Sequence, residues 1–509
     1  MQFEQRAAGV IMPVSSLAGK YGIGDFGPEA YRFVNFLKDA GFTYWQILPF
    51  TKMDKCPFQS SSSIAGDDRY IDLEALTQMG LINPKTLKQY ESMSARVDYD
   101  KVKMIHTDLL WKAFQNATQE ILRKVWRFAE DNAYWLDDYA LYMSIKESNN
   151  LPIQCWEEEL QKRDPHTLNW YRECFKERIL FHKFLQYLFF MQWSRLKKYA
   201  NENGIRIIGD IPIYPAEDSV DFWVGANKGL FNAEGMALKL KAGVPPDDFN
   251  SEGQLWGNPT YNWQMIEKNN FEYWIERFKM PNLFWAPDMK MTFDVNKIDH
   301  AIGLVNYWGI PVESKKAKVG KWYPGPRDNF FKALEGAFGD LSCILEDLGI
   351  VTDQVREFIN GLGYPRMAVL QFGFYRDPKN PNFKGNVGKN VVFYTGTHDN
   401  MTIVSAVKNE IKEHGNQVLY ELGLNPNVEN DNEAIAKAAI NYVLDSRATI
   451  AIIPFGDLLG LEDEAARINE PGTIDDTKNW VCRAKAGVFT PEMAAYYRRC
   501  LKKYGRMRK

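Results

Sequence analysis

The sequence has 509 residues, 62 Lys and Arg against 65 Asp and Glu for a net charge of −3, and 45% hydrophobic content. That balance excludes a chain that holds nucleic acid on a basic surface and a chain too polar to fold, leaving a globular protein long enough for one large domain. Six scattered cysteines without CxxC spacing fit neither a disulfide framework nor a zinc site, and no run approaches the roughly 18 apolar residues of a membrane span, so a cytoplasmic protein with no membrane partner is expected.

In chain order, GVIM reads as a first strand. Gly22, Gly24 and Gly27 then fit the dinucleotide-binding spacing G-x-G-x-x-G, but SSLAGK precedes them in place of a strand and YWQILPF ends without a ribose-binding acid, so a tight loop is the better reading. PEAYRFVNFLKDAG, from Pro28 to Gly41, is a capped amphipathic helix with Ala30, Val34 and Leu37 on one face. The continuous apolar run FTYWQILPF suits a strand buried on both faces. Residues 73–201 change texture to long, charged, helically periodic segments, read as a helical insertion. IRIIGDIPIY restores strand texture around Asp210. A loop-rich insertion over 215–285 follows, and then the runs TFDVNKID, LSCILE, RMAVLQFGF, VVFYTGT and TIAIIPF. Eight strand runs separated mostly by helical segments predict a single α/β domain over 1–509, a (β/α)8 TIM barrel with large, mainly helical insertions and no C-terminal β-sandwich.

Three of these runs end on an acid: Asp299, Glu346 and Asp399. A carboxylate is costly inside an apolar strand, so acids collect at strand ends facing a wet cleft, and in a parallel barrel those ends converge on one face. Each acid taken alone reads equally well as the cap of a following helix. Together they fit chemistry that needs both protonation and nucleophilic attack, as in cleavage or transfer of a glycosidic bond. His300 and His398 flank two of the acids; lacking any HExxH-like spacing, they read as donors to sugar hydroxyls before metal ligands. The Gly- and Pro-rich loop 243–263 carries Phe249, Trp256, Tyr261 and Trp263, which could stack on pyranose rings or pin the loop on itself.

CPFQSSSSIAGDDRYIDLEAL, IGDIPIY, AGVPPDDFNSEGQLWGNPTYNW, KIDHAIG, LEDLG, YTGTHDN and ARINEPGT resemble, in order and spacing, the blocks of the amylomaltases, or 4-α-glucanotransferases, over about residues 10–485. The resemblance implies transfer of α-1,4-glucan segments between maltooligosaccharides, with Asp299 as nucleophile, Glu346 as general acid/base and Asp399 stabilising the distorted sugar. It implies Asp210 and His398 as sugar-hydroxyl contacts, a substrate surface including Phe58, Lys297, His300, Phe249, Trp256, Asn258 and Tyr261, and no cofactor, metal, nucleic acid or obligate protein partner. The chain departs from the pattern at Lys297, where Arg is usual, which predicts that Asp299 is held less rigidly. It departs also at Phe58 for Tyr, Asp67 for Asn, Ala301-Ile302 for Phe-Arg and Gly456 for Gln. Two other readings stay open: a retaining hydrolase, and a weakened enzyme that serves as a glucan-binding protein.

Overall fold

A computed structural model describes residues 3, 5–92, 94–246, 251–349, 351–374, 377, 379–473 and 477–508. Its centre is a closed barrel of eight parallel strands: β1 (Ala7–Ile11), β2 (Tyr44–Gln46), β3 (Arg206–Ile211), β4 (Val295–Ile298), β5 (Cys343–Leu345), β6 (Arg366–Val369), β7 (Val391–Tyr394) and β8 (Ile450–Pro454). All eight apolar runs supply a strand. Each strand lies beside its sequence neighbours, and β8 closes on β1 with Ala7 opposite Ile450 and Ile11 opposite Pro454. Strands β1, β7 and β8 are buried along their whole length, as expected of a parallel sheet covered on both faces.

The helix Pro28–Ala40 forms where its spacing predicts, burying Phe33, Val34 and Leu37 and ending on Gly41 in the left-handed conformation at φ 83°. The chain Gly22 to Gly27 is a packed loop: a side chain at Gly24 would meet the Val14 carbonyl at 2.0 Å.

Between β2 and β3 the chain passes through a series of helices from Leu73–Gln78 to Lys176–Glu202. The last, of 27 residues, is fastened to the barrel by rings. Phe189 and Trp193 pack on Phe26 at 5.1 and 5.4 Å and on Phe50 at 5.2 and 4.8 Å. Gln186 on the same helix accepts from the Gly66 N–H at 2.8 Å and donates to its carbonyl at 2.9 Å. The helix thereby fixes the loop after β2, which carries Phe58.

Residues 243–263, expected as an irregular loop, contain part of a hairpin. Strands Leu240–Val244 and Gln254–Pro259 pair antiparallel and continue into a four-stranded sheet with Asn306–Pro311 and Lys321–Pro324. Their glycines and prolines hid the strand pattern, and their partners lie far along the chain.

Candidate active site

Strand register assembles the first part of the site. β3 and β4 run parallel with Asp210 opposite Lys297, and both side chains are buried inside the barrel. An isolated ammonium or carboxylate there would be prohibitive, so the two are paired. Lys297 Nζ donates to Asp210 Oδ2 at 2.9 Å and Oδ1 at 3.1 Å. It also lies 2.5 Å from Glu346 Oε2. The structure therefore corrects two expectations for Lys297. It bridges Asp210 and Glu346 where a looser hold on Asp299 was expected, and at 1% side-chain exposure it offers no surface to a substrate. Burial alone would lower its pKa, but Asp210, Glu346 and Asp299 outweigh burial and keep it charged.

Asp299 and Glu346 each sit one residue beyond a strand and extend the barrel ladder. The Asp299 N–H donates to Ile211 at 3.1 Å, and the Glu346 N–H to Ile298 at 3.1 Å. Burial first, then the Glu346 charge, raise Asp299 well above the carboxylate range against the pull of Lys297. Burial likewise raises Asp210, opposed by Lys297.

Asp399 lies in the turn after β7. Its Oδ1 accepts from Asn469 Nδ2 at 2.7 Å and lies 3.3 Å from His398 Nε2. Against the effect of burial, His398 and Asn469 hold Asp399 down to about 2, and Asp399 in turn raises His398. Phe58 stacks on the His398 ring at 5.0 Å with planes 20° apart, and Trp480 leans on both rings at 5.7 and 5.8 Å. The turn itself is stapled from the short helical turns that follow β6 and β8. Asp457 accepts from Thr395 Oγ1 at 2.6 Å and from the Ile403 N–H at 2.7 Å, while Gln371 donates to the Met401 carbonyl at 2.7 Å.

Helix capping does not account for the three acids. The helix after Asp399 is capped by Thr402 and the helix after Glu346 by Thr352. The short turn Ala301–Leu304 after Asp299 follows His300 and has no side-chain cap. His300 is held in the left-handed region at φ 44°. Its ring meets Trp256 edge-to-face at 4.9 Å, and burial lowers its pKa to about 4, leaving it neutral.

A cleft of about 580 Å³ opens beside Asp210 and Phe58, with Thr51, Ser60, Ser63 and Tyr214 in its wall. Trp256 is half-buried near the mouth, its Nε1 donating to Gln254 at 3.1 Å. Two expected substrate contacts lie in the interior instead. Tyr261 is 1% exposed and donates its hydroxyl proton to the Ile213 carbonyl at 2.8 Å; Asn258 is 6% exposed and bonds Pro215 at 2.8 Å and Gln59 at 3.1 Å. The reason is the hairpin, whose far end is drawn under the mouth. Phe249 lies outside the described residues.

Asp67 forms a buried ion pair with Arg69 at 2.5 Å and caps the turn 68–70, so its charge serves the loop fold. Gly456 packs against Ala466, whose Cβ would stand 2.7 Å from a Cβ at 456. Sequence reasoning missed Asn469 and Trp480. Asn469 sits within a quoted block but carries no signal of its reach to Asp399, and Trp480 is turned toward Phe58 from a left-handed backbone at φ 65° that no local motif announces. Among the described residues no group of three or more His, Cys, Asp or Glu is arranged to hold a metal ion, and no helix is long and apolar enough to cross a membrane.

A sequence model described as 4-alpha-glucanotransferase matches residues 12–489. The 4-alpha-glucanotransferase of Clostridium butyricum is 39% identical over 500 residues, covering 97% of this chain and all of the relative. That of Aquifex aeolicus is 40% identical over 486 residues, covering 94% and 96%. The structure of the amylomaltase from Streptococcus agalactiae in complex with acarbose superposes with a TM-score of 0.91 at 33% identity, covering 99% of this chain and 100% of that one. With nearly the whole length matched by family, relatives and fold alike, the chain belongs to the 4-alpha-glucanotransferase family.

Proposed function

We propose that this 4-alpha-glucanotransferase moves α-1,4-glucan segments between maltooligosaccharides by a retaining double displacement at Asp299 and Glu346. The observation that carries the reading is the cluster at the barrel mouth. Asp299 and Glu346 extend adjacent strands, with Lys297 bonded to one oxygen of Glu346. In the first step the Asp299 carboxylate attacks the anomeric carbon. The glycosidic C–O bond breaks, and Glu346 delivers its proton to the departing oxygen. Lys297 occupies Oε2, which leaves Oε1 to carry that proton. The product is a glycosyl ester on Asp299 and a shortened glucan with a free hydroxyl. In the second step Glu346, now ionised, takes the proton of an acceptor hydroxyl as its oxygen attacks the anomeric carbon and releases Asp299.

Asp399, ionised and fixed by Asn469 and His398, accepts hydrogen bonds from sugar hydroxyls and stabilises the positive charge that develops on the ring. His398, raised by Asp399 and stacked on Phe58, donates to the same sugar. His300 is held neutral against Trp256, on the hairpin beside the mouth, where the two can wall the glycosyl ester from water until a glucan acceptor arrives. The complex of the Streptococcus agalactiae relative with acarbose supports an oligosaccharide ligand. Six scattered cysteines without CxxC spacing support a reducing, cytoplasmic setting.

Incubation with maltotriose tests the assignment. A ladder of longer oligomers that disappears in Asp299→Ala is the expected result. Shorter products alone would make the protein a hydrolase, and no turnover by the parent would leave it a glucan binder.

A further inference from the structure

Trp480 carries a backbone conformation that a bulky residue seldom adopts, at φ 65°. Strain of this kind lasts only where the surroundings hold it, and it gathers at functional sites. Here the residue is held on both sides. The Trp480 N–H donates at 2.6 Å to the carbonyl of Ile468, the neighbour of the Asn469 that donates to Asp399. Its carbonyl accepts from the Tyr99 hydroxyl at 2.8 Å. The half-buried indole then leans on the rings of both Phe58 and His398.

Tyr99 is buried at the start of the helix Tyr99–Gln115, in the helical insertion. The chain just before it runs beside the chain just after Trp480. The Val97 N–H donates to the Val481 carbonyl at 2.8 Å, and Arg96 pairs with Cys482 as an isolated antiparallel bridge. Arg69 fixes the tyrosine ring, its guanidinium lying 4.9 Å from the ring centre. The same guanidinium donates to the Met53 carbonyl at 2.8 Å and the Asp54 carbonyl at 2.7 Å, and it pairs with Asp67. It thereby gathers the loop that carries Phe58. These contacts close a circuit. They run from the Phe58 loop through Arg69 to Tyr99, from Tyr99 to the Trp480 carbonyl, and from the indole back to Phe58 and His398.

We infer that Tyr99 and Trp480 are positioning residues of the sugar site. Tyr99 fixes the Trp480 backbone, and the indole holds the Phe58 and His398 rings at the angle at which they meet the sugar. The inference rests on the proposed glucan transfer, with Phe58 and His398 as sugar contacts. It extends that reading to the helical insertion, which takes part in sugar binding through a tyrosine that does not line the cleft. Asp67, where Asn is usual, belongs to the same device, because its carboxylate keeps the Arg69 guanidinium in place over Tyr99.

The test is a double-mutant cycle on the whole protein, read by maltotriose kinetics well below each variant's melting temperature. Tyr99→Phe keeps the ring beneath Arg69 and removes one hydrogen bond, so kcat/KM should fall about five- to tenfold. Trp480→Ala should lower it about 10²-fold, the effect of a misplaced contact. The double variant should be no slower than Trp480→Ala, because the tyrosine acts through the indole. Trp480→Phe keeps a ring against Phe58 and His398 and should recover most of the loss. Tyr99→Phe with the parent's kcat/KM, or losses that multiply in the double variant, would overturn the inference; Tyr99→Phe decides it alone should Trp480→Ala not fold. His398→Ala separates this inference from the reading beneath it. Turnover equal to the parent's would remove both, whereas lost turnover beside a parent-like Tyr99→Phe would remove this inference only.

Discussion

Replacing Lys297 by methionine removes the only charge that reaches both Asp210 and Glu346 by hydrogen-bonding distance among the described residues, and the consequences can be sized. The Asp210 side chain is fully buried and that of Glu346 is 18% exposed, so Asp210 is the carboxylate left most stranded. Deleting one partner of a buried ion pair costs about 3–5 kcal/mol, and Asp210, already raised by burial, can reduce that by taking up a proton. Glu346 loses the contact that fixes Oε2. By analogy with the loss of one preorganised donor from an active site, kcat should fall about 10²–10³-fold with a smaller change in KM. The pH dependence has a definite sign. The ammonium favours the ionised form of every carboxylate near it, so without it the acid limb of kcat/KM moves to higher pH. Lys297→Arg keeps the charge and can fork between the two acids, so it should stay within about tenfold of the parent with its acid limb in place. The assay is glucose release from maltotriose across pH 4–9, beside thermal melts of each variant. A methionine variant within threefold of the parent at every pH would refute the bridging role.

Three further outcomes follow from the same contacts. Asp457 is fully buried, and burial pushes it up to about 7, above its unfolded value. Its favourable contribution is therefore complete below pH ~4 and lost as pH rises through about 7; Asp457→Asn can still accept from the Ile403 N–H while its amide N–H donates to Thr395 Oγ1, and should flatten the fall in Tm between pH 5 and 9. An unchanged slope would exclude Asp457 as its cause. Gly456→Gln should lower stability by about 1–3 kcal/mol in urea unfolding because its Cβ meets Ala466 at 2.7 Å, and Ala466→Gly should recover much of the loss; no recovery would place the strain elsewhere. Asn469→Ala removes the 2.7 Å donor to Asp399 and should cut kcat about tenfold or more while the melt changes little, as read by maltotriose kinetics.

The barrel was legible because its strands are short, apolar and buried on both faces, a texture that survives in GVIM, IRIIGD and VVFYTGT without any alignment. The three acids were legible for the complementary reason: a carboxylate directly after such a run has few places to go except the mouth. What escaped was set by distance along the chain. Lys297 looked like a neighbour of Asp299, two residues on, but parallel register brings it to Asp210, 87 residues away, and to Glu346. Tyr261 and Trp256 looked alike in one loop, yet hairpin geometry sends the first into the core and leaves the second half-buried at His300. Asn469 and Trp480 act from irregular backbone, where neither periodicity nor turn chemistry tells which way a side chain points.

The central claim is that Asp299 becomes covalently glycosylated with Glu346 as its acid/base. The most direct measurement is mass spectrometry of proteolysed Glu346→Gln after reaction with α-maltosyl fluoride, a donor whose leaving group needs no acid. The account predicts a maltosyl adduct on the peptide containing Asp299 that persists with added maltose and is discharged by azide, an anionic nucleophile that needs no base. An adduct on a different carboxylate, or free maltose released by the variant with no adduct at any time, would contradict it.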